Sequence, residues 1–277
     1  MRHFFIFVRY PEFRKKALTL SYDDGVTQDI RLMEILDRYG LKCTFNLNSC
    51  FLQSDDEDYA GRRHLTRTEA LNLYGPSKHE VALHTHTHPF LDILPKGNAA
   101  WEITENRQIL EKLFGRIITG MAYPMGTYND AVLNTLSDCG VSYARTVEST
   151  HSFDLPKEWL RLHPTCHHKD EMLPLLCEEF LSMKVKHMSQ MFYLWGHSYE
   201  FDDSNNWNII EDFCEKMSGH NEIWYATNGE ICDYIMASQE IRSSADGRTL
   251  YNPTCTPIYL EADNKEILLR PGEKIEV

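Results

Sequence analysis

Short apolar runs alternate with amphipathic stretches through most of this chain. Residues 17–22 are predicted as a strand that begins with the apolar run at residues 17–20. Residues 28–39 carry apolar side chains at helical spacing before Gly40, and residues 43–47 alternate like a strand. A strand, a helix and a second strand in this order are typical of a parallel βαβ unit. About seven or eight such steps follow, so we predict an α/β fold, an irregular (β/α) TIM-like barrel of seven or eight strands. An open doubly wound sheet is the alternative.

The pattern changes near Ile241, where turn residues begin to separate short alternating runs. These runs fall at residues 257–261, 267–269 and 274–277. We therefore predict a barrel over residues 1–240 that would carry the active site, and a short C-terminal β-rich extension over residues 241–277 packed on or near it. Within the barrel we also expect a short strand at residues 160–163, a helix capped by Ser204 and a helix capped by Asn228.

Composition and charge exclude several classes of partner. Against 28 basic residues there are 41 acidic ones, a net charge of −13 at pH 7, which argues against nucleic acid and against an acidic membrane surface. The eight cysteines include no CxxC pair, so buried free thiols are expected rather than a disulfide framework. The first apolar run is shorter than a signal-peptide core, and no stretch reaches transmembrane length. We expect a cytoplasmic protein, or a periplasmic or secreted one if an export signal is missing from the start.

Two adjacent carboxylates, Asp23 and Asp24, close the first predicted strand just before Gly25. Neighbouring negative charges repel, and strand interiors disfavour aspartate, so this pair is a poor structural choice. A division of roles explains it: one carboxylate holds a metal ion and the other handles a proton.

A histidine-rich segment, His84-Thr85-His86-Thr87-His88, directly follows the predicted strand at residues 80–83. Because the C-terminal ends of parallel strands share one rim, Asp24 can join His84 and His88 there. A carboxylate and two imidazoles with open positions suit a catalytic divalent metal ion, most simply zinc, with cobalt, nickel or manganese as alternatives. If the chain turns after His84, His86 points elsewhere, so we leave His86 outside the ligand set.

Further histidines are candidates for other roles. His197 follows the apolar run at residues 192–195, where its pKa could be tuned for a general acid; a satisfied core histidine is the alternative. His167 and His168 could bind metal on composition, but adjacent histidines have poor geometry for one tetrahedral site.

Four segments resemble the motifs of the polysaccharide deacetylases, carbohydrate esterase family 4 (the NodB-homology domain). Residues 19–25, TLSYDDG, resemble the family's T-F-D-D-G motif, and His84-Thr85-x-x-His88 is similar to its H-[S/T]-x-x-H motif. Residues 122–126, AYPMG, resemble the third motif, and Leu194-x-x-His197 is similar to the final leucine–histidine motif. The similarity in order and spacing extends over residues 17–237.

The resemblance implies a distorted (β/α) barrel that removes an N-acetyl or O-acetyl group from a sugar with the help of a metal ion. Asp23 would be the general base, and His197 would protonate the leaving amine. The implied metal ligands are Asp24, His84 and His88. The backbone N–H of Met125 would help to stabilise the oxyanion. Tyr123, Arg145 and Trp195 are further candidates for substrate binding.

This chain departs from the family pattern at several positions. The third motif usually begins with an arginine that orients the catalytic aspartate, and Ala122 stands there instead. Met125 replaces the aromatic residue after the proline, and the fourth motif, an Asp-Trp or Arg-Trp pair, has no clean counterpart. We hypothesise that Arg145, at the end of the next strand on the same rim, replaces the arginine. An ordinary surface cation is the alternative.

The sequence therefore predicts a metal-dependent hydrolase that acts on a carbon–nitrogen bond other than a peptide bond, with an N-acetylated carbohydrate as its partner. One alternative is a hydrolase of a non-sugar amide or imide with the same metal site. Another is a carbohydrate-binding protein with weakened catalysis.

Overall fold

The computed structural model describes residues 6–52, 54 and 64–277. The strands are β1 (Ile6–Arg9), β2 (Lys16–Asp23), β3 (Cys43–Leu47), β4 (Glu80–Leu83), β5 (Gly120–Ala122), β6 (Tyr143–Arg145), β7 (Cys166–His167), β8 (Gln190–Gly196), β9 (Ile223–Tyr225), β10 (Arg242–Ser243), β11 (Thr249–Tyr251), β12 (Ile258–Ala262), β13 (Lys265–Leu269) and β14 (Lys274–Glu276). The helices are α1 (Asp29–Tyr39), α2 (Arg67–Tyr74), α3 (Lys96–Phe114), α4 (Asp130–Asp138), α5 (Leu173–Ser182), α6 (Tyr199–Asp203), α7 (Asn208–Met217) and α8 (Asn228–Gln239).

A curled parallel sheet forms the centre of the fold. Its strands lie in the order β6-β5-β4-β3-β2-β8-β7, and β9 pairs in parallel with the first residues of β2. The connections between neighbouring strands run through helices, as parallel pairing requires. The predicted α/β fold with a curled, barrel-like sheet is confirmed, and the C-terminal strand ends lie along one rim.

The two faces of the central strands differ in polarity. On β3, Cys43, Phe45 and Leu47 join the hydrophobic core beneath the helices. Side chains alternate across a strand, so Thr44 and Asn46 face the opposite way, into the interior of the curled sheet. Both are fully buried, and both make hydrogen bonds to other interior side chains. The interior of the sheet is therefore lined with polar groups just below the rim.

Two small antiparallel sheets lie outside the central sheet, and one of them joins the first described strand to the C-terminal region. Strand β1 pairs with β12, which pairs with β13, and a second sheet has the order β10-β11-β14. The strands predicted at residues 257–261, 267–269 and 274–277 correspond to β12, β13 and β14. The pairing of β1 with this region was not expected, because nothing local in residues 6–9 specifies a partner 250 residues away. The division at residue 240 stays a prediction.

Three local expectations were wrong. Residues 159–161 form a 3-10 turn. The strand, β7, begins only after Pro164, which has no backbone N–H to donate to a neighbouring strand. Ser204 ends α6 instead of beginning a longer helix. Helix α8 is capped by Thr227 in a capping box with Glu230, while the Asn228 side chain accepts from the Thr19 hydroxyl in the interior.

All eight cysteines are free thiols, and five of them are buried. Within the described ranges, no helix is both long and apolar enough to cross a membrane.

Candidate active site

Four residues on the rim of the sheet have a strained backbone. Asp24, Thr85, His88 and Met125 have φ angles of 81°, 65°, 60° and 56°. Residues other than glycine rarely adopt this left-handed conformation, and such strain persists at functional sites where the surrounding structure enforces it. Each of these residues lies in a segment that resembles a family motif.

Asp24, His84 and His88 converge at this rim. Asp24 Oδ1 lies 3.7 Å from His84 Nε2 and 3.9 Å from His88 Nε2, and the three ligand atoms lie within 4.8 Å of one another. Asp24 Oδ1 is buried and has no hydrogen-bond partner among the described residues. A buried carboxylate oxygen facing two imidazole nitrogens is the environment that a divalent cation would satisfy. The residues therefore fit a metal ion.

The local structure fixes which nitrogen of His84 faces this cluster. His84 Nδ1 lies 2.9 Å from the carbonyl oxygen of Ala122, to which it donates, so Nε2 is left with its lone pair towards Asp24. Burial lowers the pKa of His84 despite the neighbouring charges of Asp23 and Asp24, which also favours the neutral imidazole. Ala122 thus supports a predicted ligand through its backbone.

The histidine segment folds back on itself after His84. The backbone N–H of His88 donates to Thr85 Oγ1 over 3.1 Å, which closes the turn. His86 Nδ1 lies 2.8 Å from Ser49 Oγ, and the ring packs edge-on against Trp101. His86 therefore lies outside the cluster of Asp24, His84 and His88.

Asp23 lies next to this cluster but has different partners. Its side chain is 3% exposed, and Oδ2 forms an ion pair with the guanidinium of Arg145. The same Oδ2 lies 3.8 Å from His84 Nε2 and 3.8 Å from His197 Nε2. Burial would raise the pKa of Asp23, but the charges of Arg145, His84 and His197 outweigh burial and hold that pKa at about 2. Asp23 is ionised at neutral pH.

Arg145 is fully buried, so it is not an ordinary surface cation. Besides its ion pair with Asp23, its guanidinium stacks 4.3 Å from the ring centre of Trp195. The strand β6 brings Arg145 to the rim two strands away from β4, on the interior side of the sheet. Its role as a substitute for the motif arginine remains a proposal.

His197 connects Asp23 to a carboxylate that sequence reasoning missed. His197 Nδ1 lies 3.7 Å from Glu200 Oε2, the same oxygen that lies 3.2 Å from His167 Nε2 and 3.1 Å from His168 Nε2. Burial lowers the pKa of His197, but Glu200 and Asp23 more than offset that effect, so the pKa is raised. The protonated form of His197 is therefore favoured.

The hydrogen bonds of His167 indicate whether the histidines beside Glu200 could bind a metal ion. His167 Nδ1 accepts a hydrogen bond from the backbone N–H of Lys169 over 3.1 Å. A neutral His167 then carries its proton on Nε2, facing Glu200, and has no lone pair there for a metal ion. These residues form a network of imidazoles around one carboxylate.

The remaining predicted residues have different environments. Met125 is 52% exposed at the rim. Trp195 is 8% exposed and packs edge-on against His167. Tyr123 is buried, stacks on Tyr128 and donates its hydroxyl to the carbonyl of Leu160, so its side chain belongs to the interior and not to a substrate surface.

Sequence reasoning also missed the asparagines that support the site. Asn48 Nδ2 donates to the carbonyls of His84 and Thr85, and Asn106 Oδ1 accepts from the His84 N–H over 3.1 Å. Asn46 Nδ2 donates to Asp23 Oδ1 over 2.8 Å. The available signal was a series of polar residues at alternate positions, Thr44 and Asn46 within β3 and Asn48 directly after it.

The fold and the site define a class: a curled (β/α) barrel with an aspartate and two histidines grouped beside a buried, ion-paired aspartate. Residues 11–144 match the family model for polysaccharide deacetylases. This match, over slightly less than half of the chain, agrees with the resemblance of its motifs to those of the polysaccharide deacetylases.

Relatives of known sequence or structure agree with this assignment. YxkH of Bacillus subtilis (strain 168), assigned as a polysaccharide deacetylase, is 22% identical over 137 residues, 48% of this chain and 46% of YxkH. This chain thus matches about half the length of that relative. A Mycobacterium smegmatis protein, likewise assigned as a polysaccharide deacetylase, has a TM-score of 0.61 at 16% identity, over 84% of this chain and 94% of that chain. A family 4 carbohydrate esterase from Streptomyces lividans has a TM-score of 0.52 at 14% identity, over 77% and 93%.

Proposed function

We propose that this protein is a metal-dependent hydrolase that removes an acetyl group from an acetylated sugar, most simply an N-acetylated one. The observation that carries the proposal is the pairing of two carboxylates with opposite surroundings. Asp24 Oδ1 is buried without a partner beside His84 and His88, while the neighbouring Asp23 is held ionised by Arg145. The relationship to the polysaccharide deacetylases supports an acetylated carbohydrate as the substrate class.

Asp24 Oδ1, His84 Nε2 and His88 Nε2 would hold one divalent cation. Two imidazoles and one carboxylate favour zinc, with cobalt, nickel or manganese as alternatives. When bound, the ion would supply Lewis-acid polarisation of the acetyl carbonyl and lower the pKa of the attacking water.

Asp23 would act as the general base. Its Oδ2 lies on the same side as His84 Nε2, where the attacking water would stand, and it is ionised and ready to accept a proton. Arg145 would keep Asp23 in that state and fix its orientation, the function that the motif arginine performs in the family.

His197 would act as the general acid. The carboxylate of Glu200 beside Nδ1 stabilises the protonated ring, and Nε2 faces Asp23 across the site, where a leaving nitrogen would lie. A proton delivered from Nε2 lets the amine depart as a neutral group. The backbone N–H of Met125 would contribute to the oxyanion site.

Acetate release from a panel of N-acetylated and O-acetylated oligosaccharides tests this proposal. The purified protein should contain about one zinc-class ion per chain, held by the cluster of Asp24, His84 and His88. We expect His84→Ala to lose both the ion and turnover, whereas Asp23→Asn should retain the ion and lose roughly 10²–10⁴-fold in kcat. Metal content by mass spectrometry and acetate by coupled assay give the two readouts.

The panel also separates the alternatives. Sugar binding with no acetate release, measured by calorimetry, would indicate a carbohydrate-binding protein. Hydrolysis of non-sugar amides or imides alone would indicate the other substrate class and would leave the proposed roles of the site residues unchanged. Full metal retention in His84→Ala and in a matching His88→Ala protein would contradict the ligand assignment.

A further inference from the structure

Asn46 is a buried asparagine that the proposed reaction does not yet use. Its side chain is fully buried on β3, on the interior face of the sheet. The amide nitrogen Nδ2 donates to Asp23 Oδ1 over 2.8 Å and to Ser21 Oγ over 2.7 Å. The contact with Asp23 crosses from one strand to the next, since β2 and β3 pair with Asp23 opposite Asn46.

The two oxygens of Asp23 therefore have different partners. Oδ1 is held by Asn46, whereas Oδ2 is paired with Arg145 and faces both His84 and His197. A carboxylate held on each oxygen by a different fixed donor cannot rotate about its terminal bond without losing one of them. By holding Asp23 Oδ1, Asn46 leaves Asp23 Oδ2 as the oxygen that faces the reacting centre.

The other half of the Asn46 amide shows that this arrangement is costly for stability. Asn46 Oδ1 is buried and has no hydrogen-bond partner among the described residues. Turning the amide over would not relieve this, because it would place Oδ1 against the carboxylate oxygen of Asp23, acceptor against acceptor. An asparagine here therefore satisfies Asp23 Oδ1 while its own buried acceptor stays unsatisfied.

A chain of interior hydrogen bonds holds Asn46 in place. Ser21, the second acceptor of Nδ2, is hydrogen bonded to Tyr193 on β8. Asn228, at the start of α8, donates to the Tyr193 hydroxyl and accepts from Thr19. Residues from β2, β8 and α8 thus fix the position of Ser21 and, through it, the amide of Asn46.

We propose that Asn46 is a positioning residue for the general base, which orients the Asp23 carboxylate so that Oδ2 faces the attacking water. This inference rests on the proposed function, in which Asp23 accepts the proton. It concerns the turnover step, since the Asn46 side chain donates to Ser21, Tyr22 and Asp23 and not to a proposed metal ligand. The backbone carbonyl of Asn46 accepts from the Asp24 N–H over 2.9 Å, a contact that a side-chain substitution keeps.

Two substitutions at this position, with a control on the same strand, test the inference. Asn46→Leu keeps the approximate shape and removes the donor, and Asn46→Asp keeps the shape and replaces the donor with an acceptor. We expect kcat to fall roughly 10–100-fold in Asn46→Leu, because a misplaced base costs on this order, and further in Asn46→Asp. KM and metal content should not change in Asn46→Leu.

Thr44→Val is the matched control. Thr44 is buried two residues earlier on the same face of β3, and its hydroxyl donates to Glu80 instead of Asp23. This variant loses the hydrogen bonds of the Thr44 hydroxyl to Glu80 and from the Asn228 backbone N–H, but it keeps the contact between Asn46 and Asp23, so its kcat should match the wild type. Equal losses of kcat in Thr44→Val and Asn46→Leu would mean that Asn46 acts only through stability and would overturn the inference.

Crystal structures of the wild-type protein and of an Asn46 variant decide the question without any substrate. We expect the Asp23 carboxylate to be rotated in whichever of Asn46→Leu and Asn46→Asp folds, and an unrotated carboxylate would overturn the inference. If the wild-type protein releases no acetate from any substrate, the proposed function fails, while this structural comparison still tests whether Asn46 orients Asp23.

Discussion

A buried carboxylate must recover the solvation it loses, and Asp23 recovers it from two groups. Arg145 supplies a full positive charge to Oδ2, and Asn46 supplies an amide N–H to Oδ1. Because the guanidinium is itself fully buried, neither member of the ion pair has water to replace a lost partner. The pair is therefore most sensitive to the removal of one member alone.

Arg145→Met removes the positive charge and leaves Asp23 buried and unpaired. We expect a loss of roughly 3–5 kcal/mol in the free energy of unfolding at neutral pH, measured by urea denaturation. The pKa of Asp23 should rise, so the acid limb of the pH–activity profile should move to higher pH. Since the folded pKa lies below the unfolded value, the stabilisation by this pair is present at neutral pH and is lost as the pH falls from about 4 towards 2.

Arg161→Met is the control for that change. Arg161 forms ion pairs with Glu158 and Asp130, but its side chain is 34% exposed, so water can replace the lost contacts. Such surface pairs contribute roughly 0–1 kcal/mol, and the acid limb should not move. An Arg145→Met protein that behaves like Arg161→Met would contradict the assigned role of Arg145.

Asp29 joins elements that carry the site to one another through hydrogen bonds. This residue opens α1, and its carboxylate accepts hydrogen bonds from Tyr74 at the end of α2 over 2.6 Å and from Ser198 after β8 over 2.5 Å. Ser198 follows His197 directly, so the contact also anchors the segment of the proposed general acid. Asp29 is fully buried without a cation, and burial, more than any other effect, raises its pKa from 3.8 to about 7.

Asp29 should make the protein less stable as the pH rises towards neutrality. Between its unfolded pKa and its folded pKa, the folded state keeps a proton that the unfolded state has lost, so stability is fully present below about pH 4 and decreases up to about pH 7. The decrease should amount to roughly 4 kcal/mol, at about 1.4 kcal/mol per pH unit.

Asp29→Asn cannot titrate, so its stability should lack this slope. Chemical denaturation of both proteins at several pH values between 4 and 8 measures the difference. Parallel stability curves for the wild type and Asp29→Asn would show that Asp29 is ionised in the folded protein. A constant offset between the curves would reflect only the changed hydrogen bonds to Tyr74 and Ser198.

The two ends of the chain stabilise each other across the whole molecule. Arg9 on β1 is fully buried, and its guanidinium donates to Glu261 on β12 over 3.1 Å and to the backbone carbonyls of Lys186 and His187. It therefore links the first described strand, the tail and the segment that leads into β8.

Arg9→Ala should lower the free energy of unfolding by roughly 3–5 kcal/mol, because it leaves two backbone carbonyls without their donor and removes the buried one of the two cations paired with Glu261. Arg9 contacts none of the proposed catalytic residues, so the folded variant should keep the kcat and metal content of the wild type. Lys15→Ala is a useful comparison, since Lys15 pairs with the same Glu261 but is 37% exposed. Equal stability of the Arg9→Ala and wild-type proteins would contradict the importance of this link.

Much of the arrangement could be predicted from local sequence. The alternation of strands and helices requires only neighbouring residues, and it indicated a parallel α/β fold with its polar residues at strand ends. The spacing of Asp23, Asp24, His84 and His88 named a cluster that the structure does bring together, because parallel strands end on a common rim. Arg145 could be named as a candidate, although its burial and its pairing with Asp23 could not.

The tertiary structure alone decided which distant groups touch. Asn46 meets Asp23 because β2 and β3 pair in one particular register, and Glu200 meets three histidines because α6 begins beside β7. The pairing of β1 with β12 likewise depends on contacts between the two ends of the chain. Periodicity and motifs report each residue's own element, whereas partners on other elements follow from strand order, register and packing, which no short stretch of sequence contains.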